Sequence, residues 1–342
     1  MFGSFVQTAT PATLVSYYTI AGRSLCIEAQ DDWTSEWVAS FLKGFYLKPT
    51  AVADEERAAV NIRVQRAAPP VVPSGLQTFA INHGVCHTDG THYFLVVDES
   101  LVCIKEPASR TIEVTFGTSA HARHPVALVN VFSYGLQAAL RRAGVYDLHA
   151  AGVVEPATGA GALIVGTSGS GKTTLTLKLA ARGWRYLSDD MVLLHETRAG
   201  LEAAGLRKLF SVAAASLAGS QLPQLEAALG APVASDPSKR RLVPEIIFPD
   251  ARAESCRARV LLFPQVVDAD ETLLCEMPAR MAMQQLLRLC PWATYDAHTA
   301  PDYLRVLARL AKECRAYELR AGRDLLYDQA RAADLLAPYL KE

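Results

Sequence analysis

One stretch of eight residues, Gly166-Thr167-Ser168-Gly169-Ser170-Gly171-Lys172-Thr173, constrains this chain more than any other. It fits the phosphate-cradling pattern G-x-x-x-x-G-K-[ST] at every fixed position. Residues 162–165 form a short apolar run that predicts a buried parallel strand, and residues 172–182 are good helix formers stopped by Gly183. Strand, glycine loop and helix thus follow in the order that phosphate binding needs. Gly166, Gly169 and Gly171 free the backbone to turn successive N–H groups toward phosphate oxygens at the positive end of a helix. Lys172 supplies a point charge between β and γ phosphates, and the Thr173 hydroxyl is placed to reach Mg²⁺. With Thr174, residues 166–174 make up the expected nucleotide-binding set.

After the helix the chain returns through Arg185-Tyr186-Leu187 to Ser188-Asp189-Asp190 and enters the apolar run Met191-Val192-Leu193-Leu194. Two adjacent carboxylates interrupt residues that otherwise read as buried. Burying a carboxylate is costly unless it meets a cation or hydrogen-bond donors, so a metal ion or the loop lysine is the natural partner.

A length of 342 residues predicts about two domains at ~150 residues each. Half the residues are hydrophobic and the net charge is −1, which supports a packed core and argues against a dedicated nucleic-acid binder. The seven scattered cysteines form no C-x-x-C pair, which reads as reduced thiols in a cytoplasmic protein. No positive region precedes the apolar residues at the start of the sequence, so no signal peptide is expected. The longest apolar segment, 126–140, carries Asn130, Ser133 and Gln137 and is too short and polar to span a bilayer.

Residues 1–118 read as a smaller α+β domain. Strands are expected over 16–29 with a turn at 21–23, then at 59–64, 77–81, 93–97, 101–105 and 111–116, with a helix over 34–42. No catalytic constellation is visible there, and a docking or oligomerisation role is expected. His83, Cys86, His87 and His92 fit no standard zinc spacing, and no metal site is expected among them. Residues 119–342 are the expected catalytic domain. It opens on a linker at 121–124 and a helix started by Pro125, and continues in a strand over 146–154 that carries His149. Farther on, a strand is expected at 259–267, helices at 279–289 and 302–314, a short strand at 316–319 and a last helix at 331–336. The cationic run Lys239-Arg240-Arg241 reads equally as a solvated loop or as a clamp on phosphate charge.

Three blocks in this order carry a family resemblance: Leu148-His149-Ala150-Ala151-Gly152-Val153, then residues 161–173 with the loop, then Arg182-Gly183 through Ser188-Asp189-Asp190. Together they resemble the catalytic core of HPr kinase/phosphorylase, over about residues 146 to 195. The resemblance implies an α/β P-loop domain of the HPr kinase/phosphoenolpyruvate-carboxykinase type, with ATP and Mg²⁺ as cofactors and transfer of phosphate to serine. It implies that Lys172 and Thr173 bind nucleotide phosphates and Mg²⁺, that Asp189 is the base, that Asp190 assists it or the metal, and that His149 lies beside the transferring phosphate. Arg207 and Lys208, with Lys239, Arg240 and Arg241, are the candidate phosphate or substrate contacts. Thr174 stands where the family carries a glutamate, and segment 205–210 keeps an arginine but lacks the family's glycines. These departures point away from reverse phosphorolysis and toward the HPr-kinase-related proteins of peptide-modification and lasso-peptide systems.

The expected partner is therefore a protein or peptide acceptor, without nucleic acid or membrane, and self-association is left open. Two other readings stand beside it. One is a small-molecule kinase of the same fold, acting for example on free serine; the other is a regulatory protein that binds nucleotide without transferring phosphate.

Overall fold

The computed structural model describes residues 13–50, 60–68, 71–81, 84–98, 100–104, 110–118, 125–234 and 236–341. His83 and the expected linker at 121–124 lie outside them, as do residues 1–12. By packing, the chain divides into two units whose boundary falls between Ala139 and Leu140; Ile20–Gly22 and Gly44–Leu47 count with the second unit. The sequence reading set its boundary at 118/119.

The first unit is built on one nine-stranded sheet. Its strands are β1 (Leu14–Ile20), β2 (Arg23–Ala29), β3 (Lys48–Thr50), β4 (Val60–Arg66), β5 (Gln77–Ile81), β6 (Gly84–Thr88), β7 (Tyr93–Val97), β8 (Ser100–Ile104) and β9 (Thr111–Phe116), in the order β3-β1-β2-β4-β9-β8-β7-β6-β5. Strands β2, β4 and β9 run parallel, and β9 to β5 form an antiparallel meander. Residues 84–88, which the sequence left outside the expected strands, are strand β6, because alternate side chains there find a neighbouring strand to bury against. Helix α1 (Asp32–Leu42) begins where the Asp31 carboxylate accepts from the Thr34 N–H at 2.7 Å. Trp37 of α1 packs on Phe116 of β9 and on Phe132 of α2 (Pro125–Arg142), with ring centroids 4.9 and 5.8 Å apart. Gly135 of α2 lets that helix lie on β9: a Cβ there would sit 2.6 Å from Val114.

In the second unit the chain continues through β10 (Val145–Leu148), β11 (Ala150–Val154), β12 (Gly161–Val165), α3 (Lys172–Ala181), β13 (Arg185–Ser188), β14 (Val192–Thr197) and β15 (Gly200–Gly205). It goes on through β16 (Phe210–Ala213), α4 (Ala214–Ser220), α5 (Leu225–Ala228), β17 (Leu229–Val233), β18 (Asp236–Leu242), β19 (Ser255–Cys256) and β20 (Ala258–Val266). Last come β21 (Leu273–Met277), α6 (Ala279–Leu289), α7 (Trp292–Tyr295), α8 (Ala300–Glu313), β22 (Arg315–Ala321), α9 (Arg323–Tyr327) and α10 (Arg331–Leu336). A six-stranded sheet of order β13-β11-β12-β20-β22-β21 holds the centre, with β12, β20 and β22 parallel. Every residue of β12 is buried, as a continuous apolar run in a parallel sheet requires. Helix α3 is buried on two faces. Leu175 and Leu179, one turn apart, join the core with Ile164, Leu262 and Leu319. Leu177 and Ala180 turn to a second cluster with Tyr186, Phe210 and Leu242.

The long strand expected over 146–154 is in fact two strands in different sheets. β10 pairs with β14 in a four-stranded sheet of order β10-β14-β15-β19, whereas β11 pairs with β12 and β13 in the central one. The break falls at His149. Lys239-Arg240-Arg241, one reading of which was a solvated loop, lies within β18 of a three-stranded sheet of order β16-β18-β17. No disulfide joins any of the seven cysteines. Among the described residues no helix is long and apolar enough to cross a membrane.

Candidate functional site

The glycine loop expected to cradle phosphate follows β12 and ends at the N-terminus of α3. Gly169 and Gly171 take φ of +84° and +98°, which other residues resist, so the loop folds back over the first turn. The Lys172 ammonium donates to the Gly166 and Thr167 carbonyls at 2.7 and 2.9 Å, closing the loop on itself. Burial lowers its pKa, against the pull of Asp190 and Asp189. Helix α3 has no side-chain cap at Gly171, which leaves the positive end of α3 to an anion.

The acidic pair and the histidine meet because two neighbouring strand runs change sheets at the same level. β10 gives way to β11 at His149, and β13 gives way to β14 across Asp189 and Asp190. Where the backbones part, side chains take over the contact: a ring nitrogen of His149, Nε2, lies 2.6 Å from the Asp190 carboxylate. Arg207 stands 3.7 Å from the other Asp190 oxygen. Burial alone would raise the Asp190 pKa, but the hydrogen bond and charge of His149, with Arg207 and Lys172, hold it well below the usual carboxylate range.

Asp189 faces the opposite situation. It is 1% exposed, and one oxygen accepts from the Thr173 hydroxyl at 3.0 Å and the Ser211 N–H at 3.1 Å. Its other oxygen, Oδ1, is buried without a hydrogen-bond partner. Burial and the negative charge of Asp190 push its pKa up to about 7. A carboxylate with an orphaned buried oxygen beside a threonine hydroxyl fits a divalent cation. Among the described residues no group of three or more His, Cys, Asp and Glu could hold a metal. An ion at Thr173 and the aspartates would complete its shell with phosphate oxygens and water, as Mg²⁺ habitually does.

The remaining cations arrive from separate elements. Alternation along β18 turns Lys239 and Arg241 to one face and Arg240 to the other. Lys239 donates to the Ser168 hydroxyl of the loop at 2.8 Å and Arg241 to the Ser211 hydroxyl at 3.0 Å. Arg240 instead binds the Leu229 and Gly230 carbonyls of the adjacent strand, away from the site. Arg207 is held from behind by Gly44–Leu47. Phe45 forms an antiparallel bridge to Arg207, the Tyr46 N–H donates to Leu206, and the Lys208 N–H donates to Gly44. This pairing turns Lys208 toward the Tyr46 ring, 6.0 Å away, and Lys208 does not line the cavity.

These parts enclose a cavity of about 750 Å³. Lys172, Lys178, Arg207, Lys239, Arg241 and Arg323 line it against Asp189, Asp190 and Asp236. A cavity with this excess of positive charge, in a chain of net charge −1, suits a polyanion. Loop residues 168–174 line it; Gly166 and Thr167 lie behind, as acceptors for Lys172.

Sequence reasoning missed Ser211, Lys178, Arg323 and the segment Gly44–Leu47. Ser211 contributes a backbone N–H, which has no signature in residue type, and Phe45 meets Arg207 from a distant part of the chain. The Lys239/Arg241 pairing was readable from the period of two, given a strand assignment. His87 of the first unit lies 3.4 Å from the Thr78 hydroxyl and His92 lies 2.8 Å from the Asp89 carboxylate, both on the surface. No protein-family model matches this chain, and no curated protein matches it significantly.

Proposed function

We propose that this chain is a phosphotransferase that moves the terminal phosphoryl group of a nucleoside triphosphate, ATP by resemblance, to the serine hydroxyl of a protein or peptide in the cytoplasm. The observation that carries the reading is the meeting of the phosphate loop with Asp189 and Asp190 in one basic cavity, where His149, itself outside the cavity lining, pairs with Asp190. The nucleotide with Mg²⁺ would supply the group transferred: its bond to the leaving diphosphate breaks as one to the acceptor oxygen forms, and the acceptor proton passes to a carboxylate. Lys172 and the N-terminus of α3 would hold the diphosphate. Arg207, Lys239 and Arg241 would neutralise charge on the transferred group. A carboxyl pushed up to about 7 has the basicity a general base needs near neutral pH, and this favours Asp189 in that role.

The Thr173 hydrogen bond favours a second assignment, in which Asp189 serves the metal side and Asp190, paired with His149, receives the proton. Asp189→Asn and Asp190→Asn separate the two when single-turnover transfer from γ-labelled ATP and γ-labelled GTP is measured beside Mg-nucleotide affinity. Substituting the base should lower transfer by ~10² to 10⁴ with affinity nearly unchanged. Substituting the metal-side carboxylate should weaken affinity as well, with partial recovery at high Mg²⁺. If no peptide, protein or small acceptor is ever labelled, the transferase reading fails and a binding role replaces it.

A further inference from the structure

The cavity continues beyond the phosphate loop along α3 into a lobe that the transfer chemistry leaves unused. Thr174 and Lys178 of α3, Ser216 and Gly219 of α4, and Leu326 and Tyr327 of α9 line it. Gly219 lets α4 close on its neighbours: a Cβ there would lie 2.5 Å from Leu326 and 3.2 Å from Thr174. The anomaly is Lys178. It is 1% exposed, and its ammonium has one hydrogen-bond acceptor among the described residues, the Asp328 carbonyl at 3.3 Å. An ammonium carries three donors, so two are unmatched in a place where unmatched polar groups are costly.

We infer that Lys178 reads the base of the donor nucleotide and that this lobe selects guanine over adenine. The inference rests on the phosphate-loop reading and puts guanine in place of the adenine that the resemblance implied. Lys178 lies six residues beyond Lys172, about 9 Å along the axis at 1.5 Å per residue, and both line the same cavity, so a nucleotide with its phosphates at the loop has to lie along α3 for its base to reach Lys178. The choice of base follows from donors and acceptors. Guanine presents two adjacent acceptors, O6 and N7, to a group with donors only; adenine presents N7 beside an amino group, and that amino group would face the ammonium donor to donor. Leu326, Tyr327 and the stem of Lys178 supply apolar surface for a flat ring.

The test is calorimetric titration of the full chain, with Mg²⁺, using GDP, IDP, ADP and base-free tripolyphosphate. GDP and IDP, which share the O6/N7 edge, should bind at least about tenfold more tightly than ADP. Lys178→Met should erase that preference, while tripolyphosphate binds wild type and variant alike; Lys178→Arg, which keeps the donors, should retain it. Equal affinity for GDP and ADP, IDP behaving like ADP, or a preference that survives Lys178→Met would overturn this inference alone, provided tripolyphosphate binds. If neither tripolyphosphate nor any nucleotide binds, the phosphate-loop reading falls and this inference with it. The wild-type comparison needs no variant, so a failure of Lys178→Met to fold leaves the test in force.

Discussion

The nine-stranded sheet of the first unit and the paired sheets of the second handle polar side chains in opposite ways. In the first unit neighbouring strands stay in one sheet from edge to edge, and His87 and His92 are satisfied locally at the surface. In the second unit two strand runs leave one sheet for another at the same level, and the parting of their backbones leaves His149, Asp189 and Asp190 to be satisfied from outside the ladders, by side chains and, at Asp189, also by the Ser211 N–H. A continuous sheet consumes its backbone donors and acceptors in ladders. A junction between sheets leaves room where charged groups can be brought together and kept partly unsatisfied, which is what a binding site needs.

The contrast is sharpest at Lys172. Lys172→Ala should lower phosphoryl transfer by about 10³-fold or more, because the ammonium that would offset the negative charge of the leaving phosphates is lost. His92→Ala in the first unit should leave transfer within about twofold, as expected for an exposed pair. A Lys172→Ala variant with activity near wild type would erase the distinction between the units.

The buried carboxyl of Asp189 gives the second unit a stability cost that the surface pairs of the first lack. Its pKa is raised in the folded protein, so the folded state binds a proton that the unfolded state has released. Stability is therefore lost as pH rises from the usual carboxylate range to about 7, at a limiting slope of about 1.4 kcal/mol per pH unit. Asp189→Asn, without nucleotide or metal, should remove this loss and gain more stability at pH 8 than at pH 5. Denaturant melts at the two pH values check it; an equal change at both would show that the carboxyl is not held protonated.

A third measurement tests the ownership of Gly44–Leu47. Tyr46 is buried, its ring lies 3.9 Å from the Arg252 guanidinium, and its backbone braces the Arg207 segment. Tyr46→Ala should cost about 3 kcal/mol and reduce transfer, although its sequence neighbours belong to the first unit. Deleting the residues before Ala120 should act the same way, since it removes the rung beside Arg207. A truncated protein with full stability and transfer would return the segment to the first unit. The smallest effect concerns β18: Lys239→Ala and Arg241→Ala should each weaken nucleotide affinity about tenfold, the loss of one charge-assisted hydrogen bond, while Arg240→Ala changes little. Equal effects at all three positions would rule out the alternation.

The helix 331–336 and the strands at 77–81, 93–97 and 111–116 were legible with their boundaries, because each has a clear period or an unambiguous stop. β6 was not, since residues such as Cys86 and His87 look like loop residues until a neighbouring strand is known to cover them. The strand expected through His149 failed for a related reason: local sequence carries strand propensity but no mark of which sheet a strand joins.

What the sequence determined by itself is local: the glycine loop, with Gly169 and Gly171 where φ is positive, the strand and helix around it, and the adjacency of Asp189 and Asp190. Tertiary structure decided the rest. It separated the two carboxylates into different surroundings, one paired with His149 and one buried beside Thr173. It sorted Lys239 and Arg241 from Arg240, and brought Phe45 to the back of Arg207. Loop geometry depends on residues in succession, whereas burial, hydrogen bonding and the field at a carboxyl depend on groups far along the chain that only packing brings together.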